Sequence, residues 1–200
     1  TRQFLATLPE FPLSSELLSI EAEGAVSEGI IIPSKVMYVG LGSNFKLAGY
    51  EYSPALLVLK KHLTSAYLWD QVRILGGAYG ALMTIDKSGG FAFVSYRDPK
   101  LKETLDVYRK VPEVVNKLDL NEKDISKLII GTISDIDAPQ PVYTIGRRML
   151  HDLYKKDSWE SQQANREKIL SVTNRELKEL YPLAQSIIEQ ESVCVIGSEE

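Results

Sequence analysis

The run Tyr67-Leu68-Trp69-Asp70-Gln71-Val72-Arg73-Ile74-Leu75-Gly76-Gly77-Ala78-Tyr79-Gly80 constrains the fold of this chain more than any other stretch. Upstream, Leu56, Leu59, Leu63, Ala66 and Tyr67 recur at three- and four-residue spacing, which predicts a helix over residues 50–71. Pro54 suits its first turn. Gly76-Gly77 then turns the backbone from helix to sheet. Residues 78–86 and 90–96 read as two strands, and Lys87-Ser88-Gly89 between them has hairpin chemistry.

The rest of the chain extends this plan. Pro9 and Pro12 mark residues 1–24 as an extended lead-in with at most short helices. Ile30-Ile31-Ile32 predicts a strand interrupted by Pro33 and continued by residues 36–40, with Leu41-Gly42-Ser43-Asn44 as a turn. Asp98 is the expected cap of a helix with Pro99 in its first turn and Leu101, Leu105 and Tyr108 on one side. Pro112 should kink or split that helix. A further helix over 121–135 turns Ile125, Leu128, Ile129 and Ile133 inward, and the prolines of 138–141 end it. Helices over 143–155 and 158–170 follow. A last one starts with a capping box, Thr173 and Glu176, and residues 193–197 form a closing strand. Strands and helices come in groups, without strict alternation. This predicts an α+β fold: a largely antiparallel sheet with several helices packed on one face. Residues 1–27 are the expected linker from a preceding domain, and 28–200 one domain. The first residue is Thr1, which leads us to expect a chain excised from a longer one.

Composition narrows the function. A formal charge of −4 argues against a general nucleic-acid binder. No apolar run approaches the roughly 18 residues of a membrane span. The single Cys194 allows no internal disulfide, and its apolar neighbours predict a buried strand thiol. His62 and His151 stand far apart, with no second His or Cys at ligand spacing, so the chain alone completes no metal site. Gly40-Leu41-Gly42-Ser43-Asn44 lacks the third glycine of a dinucleotide fingerprint, and no Walker loop or nucleophile elbow occurs. Asp135 and Asp137 could hold a cation but read better as a helix end. Arg147-Arg148 reads as a solvated face, with a rim contact to an acidic partner as the alternative.

Arg73 and Tyr79 carry two readings. Tyr79 shares strand parity with Ala81, Met83 and Ile85, so it could be a core tyrosine. Arg73 could simply meet the negative end of a helix dipole. In the functional reading, guanidinium and hydroxyl both donate hydrogen bonds, and Gly76 and Gly77 let a substrate backbone approach. Such donors hold a scissile carbonyl and stabilise the negative oxygen that develops on it, with the nucleophile supplied from elsewhere.

The segments Tyr67-Leu68-Trp69, Arg73, Gly76-Gly77-Ala78-Tyr79-Gly80 and Ser95-Tyr96-Arg97-Asp98-Pro99 together resemble the C-terminal domain of presequence proteases, zinc metallopeptidases of the pitrilysin and insulin-degrading group. Tyr38-Val39-Gly40, the stretch from Ile133 to Pro139, and Asn165-Arg166-Glu167 agree, so the likeness spans roughly residues 28–197. The resemblance implies a parent of related α+β domains in two halves enclosing a chamber for unfolded peptides. The N-terminal half of the same polypeptide would carry zinc on a His-x-x-Glu-His motif, which this chain lacks. Arg73 and Tyr79 would hold substrate across the chamber and help stabilise the tetrahedral intermediate. The chain would then be inactive alone, and its parent would lie in a bacterial cytoplasm or an organelle lumen. The alternative is a non-catalytic structural or peptide-docking domain of a degenerate homologue. One departure is the apolar Ile74-Leu75 before Gly76, where some family members have charged residues, and it bears on substrate preference.

Overall fold

A computed structural model describes residues 2–9, 27–190 and 192–198. Most of the lead-in expected over 1–24 lies outside these residues; Arg2–Leu5 forms a short helix, α1. Ser27–Ile31 (β1) ends before Pro33, as expected. Met37–Asn44 (β2) is a separate strand and does not continue it: β1 pairs in parallel with Ser192–Gly197 (β5), and β5 pairs antiparallel with β2. Residues 41–44, expected as a turn, are the second half of β2. Glycine suits position 42 because it lies against strand 90–98, where a Cβ would sit 3.0 Å from the Phe91 carbonyl oxygen, and Ser43 and Asn44 continue the ladder opposite Phe91 and Gly90.

Gly80–Ile85 (β3) and Gly90–Asp98 (β4) form the expected hairpin. The sheet order is β1-β5-β2-β4-β3, antiparallel except for β1 with β5. Alternation gives the sheet two unlike faces. Val39, Leu41, Ala81, Met83, Phe91 and Phe93 are buried on one, while Tyr38, Leu82 and Tyr96 stand exposed on the other. Each fully buried Leu, Met or Phe there contributes about 1.5–3 kcal/mol. Cys194 lies in β5 but is exposed, because its parity places it beside Tyr38 and Gly40 and not beside Leu41. The expectation of a buried thiol was wrong by one position of the strand period.

The expected long helix has two parts. Ala55–His62 (α2) is α-helical, with Pro54 at its start. Leu63–Ile74 then winds as a π-helix of 12 residues, and Leu75 N–H still reaches the Asp70 carbonyl at 3.0 Å. Pro112 splits the next helix as expected, into Leu101–Arg109 (α3) and Val111–Asn116 (α4). Glu122–Ile136 (α5) is capped by the Asn121 side chain. Val142–Lys155 (α6) and Trp159–Leu170 (α7) follow. The last helix is two: Asn174–Lys178 (α8), with the Thr173–Glu176 capping box, and Tyr181–Glu189 (α9), which restarts at Pro182. The π-helix packs on β3 and α3, and α3 and α9 pack on β2, so the helices cover the apolar face of the sheet. The chain is α+β. Val142, Tyr143, Met149, Leu150, Leu153 and Tyr154 of α6 stand exposed. No helix among the described residues is long and apolar enough to cross a membrane.

Candidate functional site

The π-helix delivers Arg73 to the rim of the sheet. Its path is held at three points: the Tyr67 hydroxyl donates to the Val107 carbonyl at 2.9 Å, the Thr64 hydroxyl accepts from Met83 N–H at 3.2 Å, and Leu68 and Val72 are buried. Burial, with the Glu113 charge second, pushes the Tyr67 pKa up to about 12, so it remains a donor. The Arg73 guanidinium stacks on Trp69, 3.9 Å from the ring centroid.

The helix stops at the two glycines. Gly77 has a φ of 89°, and its N–H bonds the Arg73 carbonyl while Ala78 N–H bonds that of Val72. This is a left-handed glycine cap widened by one residue to fit a π-helix. At Gly76 a Cβ would sit 2.3 Å from the Val72 carbonyl oxygen, so no larger residue fits. Both glycines therefore have a local structural task. They also diverge. Gly77 joins Val36, Arg73, Ala78, Tyr79 and Arg97 around an open recess, whereas Gly76 faces a separate small hollow with Gln71, Leu75 and Lys100.

Tyr79 is not a core residue. Strand β3 begins one position later, at Gly80, and Tyr79 is 59% exposed while Ala81 and Met83 are buried. Its N–H bonds the Arg97 carbonyl at 3.4 Å. Its ring lies 5.4 Å from that of Tyr96, tilted by 57°. Tyr96 in turn lies over Gly80, where a Cβ would come within 2.5 Å of its ring. Gly80 thus makes room for Tyr96, and Tyr96 props Tyr79. The Arg73 guanidinium approaches the Tyr79 ring at 6.0 Å and that of Arg97 at 5.9 Å.

Spacing alone did not single out Trp69, Tyr96 and Arg97 as members of this cluster. Asp98 is not the cap of α3. It is the last residue of β4, fully buried, with one carboxylate oxygen accepting from Ser95 Oγ at 2.6 Å and Thr104 Oγ1 at 2.8 Å. The other accepts from Lys100 N–H at 2.9 Å. Asp135 and Asp137 pair with Lys61 and Arg166, the ordinary fate of carboxylates at a helix end. Among the described residues no three His, Cys, Asp or Glu side chains are grouped to hold a metal. The recess presents two guanidinium groups and a phenol, with no carboxylate, thiol or imidazole in its lining. It does not fit the zinc that the resemblance implies for the parent.

The family profile described as the PreP C-terminal domain matches residues 27–199. The chain is 37% identical over 197 residues to presequence protease 1, chloroplastic/mitochondrial, of Arabidopsis thaliana, covering 96% of this chain and 18% of that protein. It is 36% identical over 177 residues to protein HypA of Clostridium perfringens, covering 88% of this chain and again 18% of the relative. The chain therefore spans about a fifth of these relatives. Among solved structures, a peptidase M16 inactive domain from Pseudomonas fluorescens aligns with a TM-score of 0.62 at 13% identity, over 87% of this chain and 43% of that one. A protease from Helicobacter pylori aligns at 0.60 and 16% identity, over 85% and 44%. These two likenesses establish the fold. The match across nearly the whole chain and the presequence protease relatives establish the family: this chain belongs to the PreP C-terminal domains, the C-terminal domain of presequence-protease-like metallopeptidases.

Proposed function

We propose that this chain is the non-zinc-binding C-terminal domain of a zinc-dependent endopeptidase that degrades short unstructured peptides in an enclosed chamber, and that it grips the substrate. The observation that carries the reading is the recess in which Arg73 and exposed Tyr79 come together, the guanidinium 6.0 Å from the ring. Both are donors, and both stand at the open rim of the sheet. Arg73 holds a peptide carbonyl. The Tyr79 hydroxyl donates to the oxygen as negative charge develops on it. Gly77 leaves the recess floor without a side chain, and Gly76 sets the turn that puts it there. The bond-breaking nucleophile comes from the N-terminal half of the same polypeptide, with its zinc. Residues 1–27 link this domain to the preceding one, and residues 28–200 form it. Alone, the chain cleaves nothing. The parent resides in a bacterial cytoplasm or an organelle lumen, as the chloroplastic/mitochondrial name of the Arabidopsis relative suggests.

The test is Tyr79→Phe in the full parent. A hydroxyl that acts mainly in the transition state lowers kcat on removal, by about 10²-fold for one oxyanion donor, with little change in KM. An unchanged kcat sinks the assigned role.

A further inference from the structure

The β2–β4 ladder contains an irregularity at the site. Met37 pairs with Asp98 and Tyr38 with Tyr96, so Arg97 is the extra residue of a β-bulge. Its φ is 51°, a left-handed backbone that arginine adopts only at a cost of about 1–3 kcal/mol. The burial pattern shows the effect. Ser95 and Asp98 are buried, while Tyr96 and Arg97, consecutive, are both exposed. Without the bulge, strand alternation would turn residue 97 to the apolar face. With it, the side chain joins Tyr96 and Tyr79 on the rim. The bulge is pinned from beneath by Asp98, through Ser95, Thr104 and Lys100 N–H.

A lone exposed arginine is ordinarily a solvated charge. Arg97 differs in sitting where glycine or asparagine would relieve strain, and in facing the same aromatic ring as Arg73 at nearly the same distance. Among the described residues neither guanidinium has a carboxylate within ion-pair distance, and no acidic residue lines the recess. Two unpaired forks and a hydroxyl around one hollow form a receptor for a carboxylate, the group whose two oxygens match a guanidinium.

Resting on the proposed substrate-gripping role, we infer that Arg97 is a specificity-determining residue of this recess and binds a carboxylate of the peptide substrate, while Arg73 and Tyr79 hold the scissile carbonyl. The carboxylate comes from the peptide's own C-terminus or from an Asp or Glu side chain near the cut. The test uses the full parent and two matched peptide pairs: free C-terminus against C-terminal amide, and internal Glu against internal Gln. The parent is expected to prefer the acid by about tenfold in kcat/KM in one pair, and that pair identifies the source. Arg97→Gln and Arg97→Gly both erase the preference. Glycine keeps the left-handed backbone, so Arg97→Gly does so with Tm held or raised. Tyr79→Phe lowers kcat equally on both members of a pair and keeps the preference. Absence of preference in both pairs, or its survival in both Arg97 variants, overturns the inference. So does a uniform loss on all four peptides with a fallen Tm, which marks a structural role. An unchanged kcat in Tyr79→Phe overturns the gripping role instead, whatever Arg97 does.

Discussion

Asp98 decides more about this domain than its place at a strand end suggests. Its carboxylate is fully buried and satisfied by three donors from three elements of structure: Ser95 in β4, Lys100 in the connecting turn and Thr104 in α3. Removing it strands two hydroxyls in the interior and frees a partly buried backbone N–H, and each unpaired buried polar group costs about 1–3 kcal/mol. We expect Asp98→Ala to destabilise the domain by about 3 kcal/mol, read as a lower urea midpoint at constant m-value. A loss below about 1 kcal/mol would mean that water or a rearranged hydroxyl takes the place of the carboxylate. Nearby, the Tyr108 hydroxyl is buried beside Ser95 and Asp98 with no hydrogen bond of good geometry, and burial, with the Asp98 charge behind it, pushes its pKa up. The site's support is thus asymmetric. At the rim Tyr79 and Arg97 are exposed and Arg73 is half-buried, with aromatic stacking as their side-chain contacts, whereas the residue beneath them is fully buried and hydrogen-bonded.

Among the elements, the π-helix links core to site. A π-turn is usually a single-turn bulge, and twelve residues of it are uncommon. One of its outer contacts is the Thr64 hydroxyl, which takes the Met83 N–H that edge strand β3 points away from β4. Thr64→Val keeps the shape and removes the acceptor. We expect a loss of about 1–2 kcal/mol and faster hydrogen exchange at the Met83 amide, with Thr64→Ser close to wild type. If the Met83 amide exchanges no faster, the bond contributes nothing to the edge. Much of this level was legible in the sequence. The hairpin around Lys87-Ser88-Gly89, the Thr173 capping box and the split at Pro112 are local signals, and the structure follows them; the helix expected over 50–71 is present but begins at Ala55, after Pro54, and runs on to Ile74. The misses are signals that need a second strand. Residues 41–44 look like a turn until Phe91 and Ala92 lie beside them. Cys194 looks buried until its register against Gly40 is known. Arg97 is invisible as a rim residue, because a bulge belongs to a pair of strands and not to one. The change from α to π winding has no signature in spacing, since Leu59, Leu63 and Tyr67 fit either helix on the buried side.

At the scale of the molecule, the two surfaces of the domain differ in kind. One carries the Arg73, Tyr79 and Arg97 rim, and elsewhere α6 presents Val142, Tyr143, Met149, Leu150, Leu153 and Tyr154 to solvent. A row of that length on one helix is more than scattered exposure. Since these side chains touch little within the domain, Met149→Lys with Leu153→Lys should shift stability by no more than about 1 kcal/mol. The same pair should cut the binding of a hydrophobic dye by the isolated chain. A Tm lowered by many degrees would show instead that the α6 face is packed in solution.

The position of β5 has a consequence in time. It lies between β1 and β2, yet about 160 residues separate it from β1 in the chain, and ribosomes add roughly 5–20 residues per second. For on the order of ten to thirty seconds of each synthesis, β1 has emerged and β5, its partner among the described residues, has not been made. Until then β1 and the facing edge of β2 are open templates for any extended segment. The hairpin β3–β4 and β2 can form at once, but the sheet closes only with its second-to-outermost strand. Nascent chains halted before residue 192 should therefore be the form that chaperones hold and proteases find.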